Sequence, residues 1–230
     1  MLLEGKVVVV SGVGPGLGQA LARIAASEGA AVVLAARNRQ FLEQVKGDIL
    51  ASGGTAIAVV CDVSDEAQCE ALAQEAAAKL GGRIHGLINS AYYHGDWSFI
   101  ESADVNDISR AFDVNCLGAL RLTRACIPYL RGGGAVVNVS TMATVRPFGT
   151  EHGMEMGYAV AKGALNTLTK YMATDLGKFA IRVNGCRMGW IHGTPVEAHI
   201  QSQVDAGEDR DRVVAAITRD IPLGIIPPED

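Results

Sequence analysis

The 230-residue sequence has no apolar run long enough to span a bilayer, no Cys-x-x-Cys pair and no cluster of lysine and arginine. The first absence excludes a helical membrane span. The second leaves five cysteines, Cys61, Cys69, Cys116, Cys126 and Cys186, with neither a disulfide framework nor a zinc or other metal site. They read as free thiols of a reducing compartment, so a cytoplasmic location is expected. The third absence, with a net charge of −5, argues against a nucleic-acid partner. Residues 1–11 are apolar but lack the charged start and small-residue cleavage site of a signal peptide, and read as a first strand. No Pro/Ser-rich linker divides the chain, so residues 1–230 are expected to form one domain. Hydrophobic residues make up 49% and charged residues 20%, enough for one substantial core.

Short apolar runs alternate with helical patterns. Strands are expected at 6–11, 31–36, 55–61, 84–89, 135–140 and 181–186. Helices are expected at 16–27, 40–51, 65–80, 104–130 and 158–177. Continuous runs such as Val7-Val8-Val9-Val10 suit strands covered on both faces. The alternation predicts an α/β fold, a doubly wound parallel sheet with helices on both faces. Residues 141–157 and 189–223 are too long for simple connections. Both follow strands, so they belong over the carboxyl ends of the sheet, where such folds bind ligands. Residues 189–223 are expected to form a mobile substrate-loop region, with the alternating charges of 205–212 on the solvated face of a lid helix.

Ser11-Gly12-Val13-Gly14-Pro15-Gly16-Leu17-Gly18 follows a strand and opens a helix. A tight glycine turn lets backbone N–H groups approach a pyrophosphate, and the helix N-terminus favours its charge. This predicts a Rossmann-type dinucleotide site. The second strand ends Ala36-Arg37-Asn38, where a carboxylate would accept ribose hydroxyls and repel a 2′-phosphate. With Arg37 there, NADP(H) is favoured over NAD(H). The alternative for Arg37 is a surface charge stacking on adenine.

Tyr158 and Lys162 lie four apart in a helical run and share one face. A cation beside a phenol lowers its pKa toward working pH and makes a usable acid or base.

On these residues the chain resembles the short-chain dehydrogenase/reductase family. The matching pieces are Ser11-Gly12-x-x-x-Gly16-x-Gly18, Cys61-Asp62-Val63, Asn89-Ser90-Ala91, Asn115, Asn138-Val139-Ser140-Thr141, Tyr158-x-x-x-Lys162, and Arg182-Val183-Asn184 followed by Gly189. The resemblance implies hydride transfer between NADP(H) and a secondary alcohol or ketone. Tyr158 would exchange the proton, and Lys162 would hold the nicotinamide ribose and lower the phenol pKa. Asn115 would stabilise a helix distortion and a water leading to Lys162. Asp62 and Val63 would contact adenine. Asn89 and Ala91 would lie along the adenosine side, and Gly189, Ile191 and Thr194 near the nicotinamide. The substrate-orienting serine of the family falls on Thr141, with Ser140 as the other candidate, since alternation turns only one hydroxyl to the site. The resemblance also implies a homodimer or homotetramer built on the helices after Asp104 and from Tyr158, with Leu165, Leu168 and Met172 facing either outward or the sheet.

Departures from the family pattern are local. Tyr92 replaces a glycine after Ala91, Met188 replaces a proline before Gly189, and the segment before Tyr158 is longer than usual. The family continues beyond Asp230 into a helix and a last strand, so the sheet is expected to lack that strand, whether the protein or only its sequence stops early. Tyr92, Tyr93, Trp97, Phe148, His152, Trp190 and His192 are candidate pocket residues, with Tyr92, Phe148, His152 and Trp190 the leading substrate contacts. They suggest an apolar or cyclic small molecule, or ordinary packing under long loops. His192 and His152 are further candidates for a second acid. Alternatives to the oxidoreductase are a non-enzymatic dinucleotide-binding sensor or scaffold, and a dehydratase or epimerase on the same fold.

Overall fold

The computed structural model describes residues 1–150, 153–219 and 221–228. The expected alternation is present. In chain order the elements are β1 (Val7–Ser11), α1 (Leu17–Ser27), β2 (Ala31–Ala36), α2 (Arg39–Ala51), β3 (Thr55–Val60), α3 (Glu66–Lys79) and β4 (Gly86–Asn89). There follow α4 (Val105–Phe112), α5 (Gly118–Leu130), β5 (Ala135–Thr141), β6 (Gly149–Thr150), β7 (Gly153–Met154), α6 (Met156–Leu176), β8 (Arg182–Met188), α7 (Thr194–Asp205) and α8 (Arg210–Thr218).

Six strands form one parallel sheet in the order β3-β2-β1-β4-β5-β8, and β6 pairs with β7 in a small antiparallel hairpin. The order reverses direction between β1 and β4, which opens a crevice at their carboxyl ends. The register brings Ala35, Ser11, Asn89, Asn138 and Gly185 into one row across those ends. β1 is buried along its whole length, as its unbroken valines predict. One face packs Val7, Val9, Leu87 and Val136 against α3, α5 and α6, and the other packs Val8, Val10, Val32 and Leu34 against α1 and α2. Each such side chain, once buried, contributes about 1.5–3 kcal/mol.

The helix expected over 104–130 is interrupted. Residues Asp113–Leu117 form a π-turn between α4 and α5. Residues 205–212 do not lie on one helix: α7 ends at Asp205, Gly207 takes a left-handed φ of 99°, and α8 starts at Arg210. The two helices are clamped by Arg210, which donates to both carboxylate oxygens of Glu197. Leu165 and Met172 are buried in the core and Leu168 is packed against it, so this row faces the sheet. The strand β8 lies at a sheet edge. Among the described residues, no helix is long and apolar enough to cross a membrane.

Candidate active site

The glycine loop is shaped by close approach. Gly12 has φ of 77°, and a Cβ there would stand 2.5 Å from the Ala91 backbone. A Cβ on Gly18 would stand 2.1 Å from the Gly12 carbonyl oxygen. Gly14 meets nothing within 4 Å. Ser11 fastens the loop to the neighbouring strand by donating to the Ile88 carbonyl and accepting from the Ser90 N–H. Helix α1 then begins at Leu17 on Gly16, and no side chain caps it. By contrast α2, α3, α4 and α8 are capped by Asn38, Asp65, Asp104 and Asp209. An uncapped first turn behind a glycine cradle suits a pyrophosphate, whose oxygens accept the free N–H groups.

A cleft of about 330 Å³ runs from this loop across the ends of β2, β3 and β4. It is lined by Gly12, Arg37, Asn38, Asp62, Val63 and Ala91, all expected there. Tyr92, Tyr93 and Arg110 join them. Asn38 uses its carboxamide to cap α2, accepting from the Phe41 N–H. Asp62 accepts from both the N–H and the hydroxyl of Ser64. Burial raises its carboxyl pKa, but those bonds and the Arg37 and Arg110 charges outweigh burial and hold it below the ordinary range.

Asn89 turns away from this cleft. It is 3% exposed, and its amide donates to the Asn138 side chain at 2.8 Å and to Thr123 at 3.0 Å. Asn138 in turn donates to Thr169, which donates to the Leu165 carbonyl. The side-chain contacts of Asn89 therefore tie β4 to α5, β5 and α6 inside the core and not to the expected adenosine side.

Asn115 lies on the π-turn. Its amide donates to the Tyr93 and Ala111 carbonyls and accepts from the Tyr93 N–H. The extra residue of a π-turn frees a carbonyl from the helix ladder, and Asn115 satisfies one such group while holding the loop after β4. Beyond that loop, Tyr93 donates its hydroxyl to Asp107 and lies under the Arg110 guanidinium, so its ring is tied to α4.

Tyr158 and Lys162 occupy the first turns of α6. Lys162 is 2% exposed, and its ammonium donates to the Val139 carbonyl at 2.8 Å. Burial lowers its pKa to about 8. Its Nζ lies 5.8 Å from the Tyr158 ring centroid. Burial, followed by the charges of Glu155 and Tyr92, pushes the Tyr158 phenol above its ordinary value. The lowering expected from the lysine is therefore not found in this geometry, where desolvation of the hydroxyl dominates.

The two hydroxyls of β5 diverge. Ser140 is buried on the same face as Asn138, and its Oγ has no hydrogen-bond partner. Thr141 lies on the other face at the strand end, where its Oγ1 accepts from the Ala143 N–H and caps a short 3₁₀ turn.

Above Tyr158 the rings gather. Trp97, Phe148, Trp190 and His199 make a closed cycle of contacts with centroids 5.1–6.5 Å apart. Tyr92 meets Tyr158 edge-on at 6.4 Å, and is itself 54% exposed. His94 is stacked between Tyr158 and Trp97, 5.2 Å from each, and its Nε2 lies 3.0 Å from a Glu155 carboxylate oxygen. The sequence reading missed His94, Glu155 and His199. They carry no periodic signal, and only the fold brings the loop after β4 against α6 and α7. Of the expected residues beyond β8, Gly189 and Thr194 are exposed and Ile191 is half-buried. His192 is paired with Glu197 on the surface at 3.4 Å. His152 lies outside the described residues.

Comparisons with known proteins show the family and the fold. A family model described as enoyl-(acyl carrier protein) reductase matches residues 12–224. The chain is 37% identical to an uncharacterized oxidoreductase of Methylorubrum extorquens over 89% of this chain and 82% of that protein. It is 32% identical to 7alpha-hydroxysteroid dehydrogenase of Escherichia coli over 88% of this chain and 78% of the relative. The solved structure of an NAD⁺-bound xylitol dehydrogenase superposes with a TM-score of 0.89 and 27% identity, covering all of this chain and 89% of the other. With its strand order, glycine cradle and Tyr-x-x-x-Lys helix, the chain belongs to the short-chain dehydrogenase/reductase family of NAD(P)-dependent oxidoreductases acting on CH–OH groups.

Proposed function

We propose that this protein interconverts a secondary alcohol and a ketone on an apolar, cyclic small molecule, using NADP(H). The observation that carries the reading is the placement of Tyr158 and Lys162 one turn apart on α6, at the carboxyl ends of the strands beside the glycine cradle. The bound dinucleotide supplies or accepts hydride at nicotinamide C4. Tyr158 gives its proton to the nascent alkoxide in reduction and takes it back in oxidation. Thr141 hydrogen-bonds the reacting oxygen: its Oγ1 accepts at the turn, which leaves its own O–H to donate. Lys162 holds the nicotinamide ribose, and Asn115 keeps the π-turn and the Tyr93 loop in place. Ser11, Gly12, Gly16, Leu17 and Gly18 would receive the pyrophosphate on the uncapped start of α1. Gly189, Ile191 and Thr194 would border the nicotinamide.

The preference for NADP(H) rests on Arg37, which is exposed in the cleft with no carboxylate at the end of β2. The substrate class rests on the ring cluster of Trp97, Phe148 and Trp190, which offers flat apolar walls and few polar groups. Residues 189–223 supply Trp190, and His199 beside it, and we assign that region to substrate closure within a single domain. Exposed apolar side chains on α4, α5 and α6, among them Phe112, Leu120, Val160 and Tyr171, support pairing of these helices with a second copy, as a homodimer or homotetramer. Four buried thiols suit a cytoplasmic location.

The direct test follows NADPH absorbance with a panel of cyclic ketones, for the wild type and Tyr158→Phe. Turnover by the wild type and its near-complete loss in the variant, with NADPH affinity retained, is the expected result. Equal turnover by both overturns the assignment.

A further inference from the structure

The His94–Glu155 pair has no part in the mechanism above, yet His94 stacks on Tyr158 and the Glu155 charge acts on its phenol. Glu155 is the residue before α6, where an N-cap would be expected to hold the helix. It makes no such bond, and turns its carboxylate to His94 Nε2 at 3.0 Å. The imidazole Nδ1 lies 3.3 Å from the Gly95 carbonyl oxygen. Both ring nitrogens thus face acceptors, an arrangement that suits the doubly protonated, cationic ring. That ring lies nearly parallel to the Tyr158 phenol, 23° off and 5.2 Å away, with Trp97 on its far side.

We propose that His94, held by Glu155, is a positioning residue for Tyr158: its imidazolium lies against the phenol ring and stabilises the phenolate left when Tyr158 protonates a ketone. The inference rests on Tyr158 being the acid of the reaction. It supplies a function that Lys162 fills only in part in this structure, because the Lys162 ammonium is directed to the Val139 carbonyl. A cation within about 4–6 Å shifts an acid by about one unit or more.

The charges around His94 favour its cationic form, which opposes the Glu155 charge that raises the Tyr158 phenol. Glu155 and Tyr158 face it from α6, Asp107 from α4 and His199 from α7. Burial lowers the imidazole pKa, but the Glu155 hydrogen bond and charge, the Gly95 carbonyl and the Asp107 charge outweigh burial and raise it. His199, half-buried and repelled by His94, has its imidazole pKa pushed down and so favours the neutral form. The stacked ring also fixes the phenol between His94 and the edge of Tyr92.

The test combines a titration that needs no turnover with one that does. Protein labelled in its histidines is titrated by NMR, and His94→Gln identifies the His94 resonance. His94 is expected to titrate above the ordinary histidine value of about 6.5, and Glu155→Gln to lower that midpoint by about one unit. With saturating NADPH, wild-type kcat for ketone reduction is expected to fall about three- to ten-fold as pH rises through the same midpoint. That limb moves down with the midpoint in Glu155→Gln and disappears in His94→Gln, while KM changes little. If His94→Gln does not fold, Glu155→Gln, which keeps the side-chain size, carries the comparison. A His94 midpoint below the ordinary value, or a kcat limb unmoved in Glu155→Gln, overturns the proposal. Turnover surviving in Tyr158→Phe overturns instead the reading it rests on, and the imidazole titration tells the two failures apart.

Discussion

Asn115 holds Tyr93 by both ends of its peptide, accepting from its N–H at 3.2 Å and donating to its carbonyl at 2.6 Å. One buried amide therefore fixes the π-turn of one helix and the loop that carries Tyr92, Tyr93 and His94. Replacing Asn115 by alanine strands these backbone groups, each at a cost of about 1–3 kcal/mol. The expected result is a melting temperature lower by about 5–10 °C, with kcat lowered because the loop no longer fixes His94 on Tyr158. Calorimetry and ketone reduction measure the two.

Lys162 is a buried ammonium that donates to the Val139 carbonyl. Its folded pKa of about 8 lies below the 10.5 of an exposed lysine. Between those values the unfolded chain binds the extra proton, so the contribution of this group to stability rises as pH rises from about 8 toward 10.5. Lys162→Met is expected to remove that rise and, at neutral pH, to stabilise the fold by about 3 kcal/mol. Turnover is expected to vanish. Denaturant melts at several pH values check the first effect and NADPH assays the second.

Ser140 and Thr141 are separable by substitution. The Ser140 hydroxyl is buried without a partner, so Ser140→Ala is expected to leave kcat unchanged and to stabilise the protein slightly, by about 1 kcal/mol. Thr141→Val keeps the shape and loses the oxygen, and kcat is expected to fall about 100-fold. The reverse ranking in kcat would reassign the substrate-orienting hydroxyl to Ser140.

The glycines of the cradle differ in kind. Gly18→Ala forces a Cβ onto the Gly12 carbonyl and is expected to destabilise the fold by about 2 kcal/mol or more. Gly14 has open space, so Gly14→Ala is expected to melt like the wild type. Any loss of NADPH affinity in that variant reports the approach of the dinucleotide alone.

Arg37→Ala probes cofactor choice. A charge-assisted contact to a 2′-phosphate contributes about 1.5–3 kcal/mol, so KM for NADPH is expected to rise about 10- to 100-fold with KM for NADH little changed. Parallel loss for both cofactors would make Arg37 an adenine-stacking residue.

Much of this fold is legible in the sequence because its strands are buried on both faces. β2 is bounded to the residue, and the helices α1, α2 and α3 to within two. The π-turn is invisible to periodicity, since the apolar pattern of 104–130 continues through Asp113–Leu117. Only the resemblance, through Asn115, pointed to a distortion. The charge pattern of 205–212 suggested one helix face, but Gly207 breaks the chain into a left-handed turn there. Asn89 was expected beside adenosine from the resemblance alone, and a polar residue ending a buried strand can equally turn into the core. Its partners Thr123 and Asn138 lie 34 and 49 residues away, beyond any local signal. His94, Glu155 and His199 are distant in sequence for the same reason.

If the bare first turn of α1 receives the dinucleotide as proposed, the cofactor would be a part of the architecture as well as a reagent. Four other helices carry their own terminal acceptor, whereas α1 begins on the glycine cradle without one, and on the proposed reading the dinucleotide would complete it. Ligand present at 100 times its dissociation constant adds about 2.7 kcal/mol to the folded state by mass action. A cell with a depleted dinucleotide pool would thus hold not only less active protein but also protein more open to proteolysis, so abundance and activity would fall together.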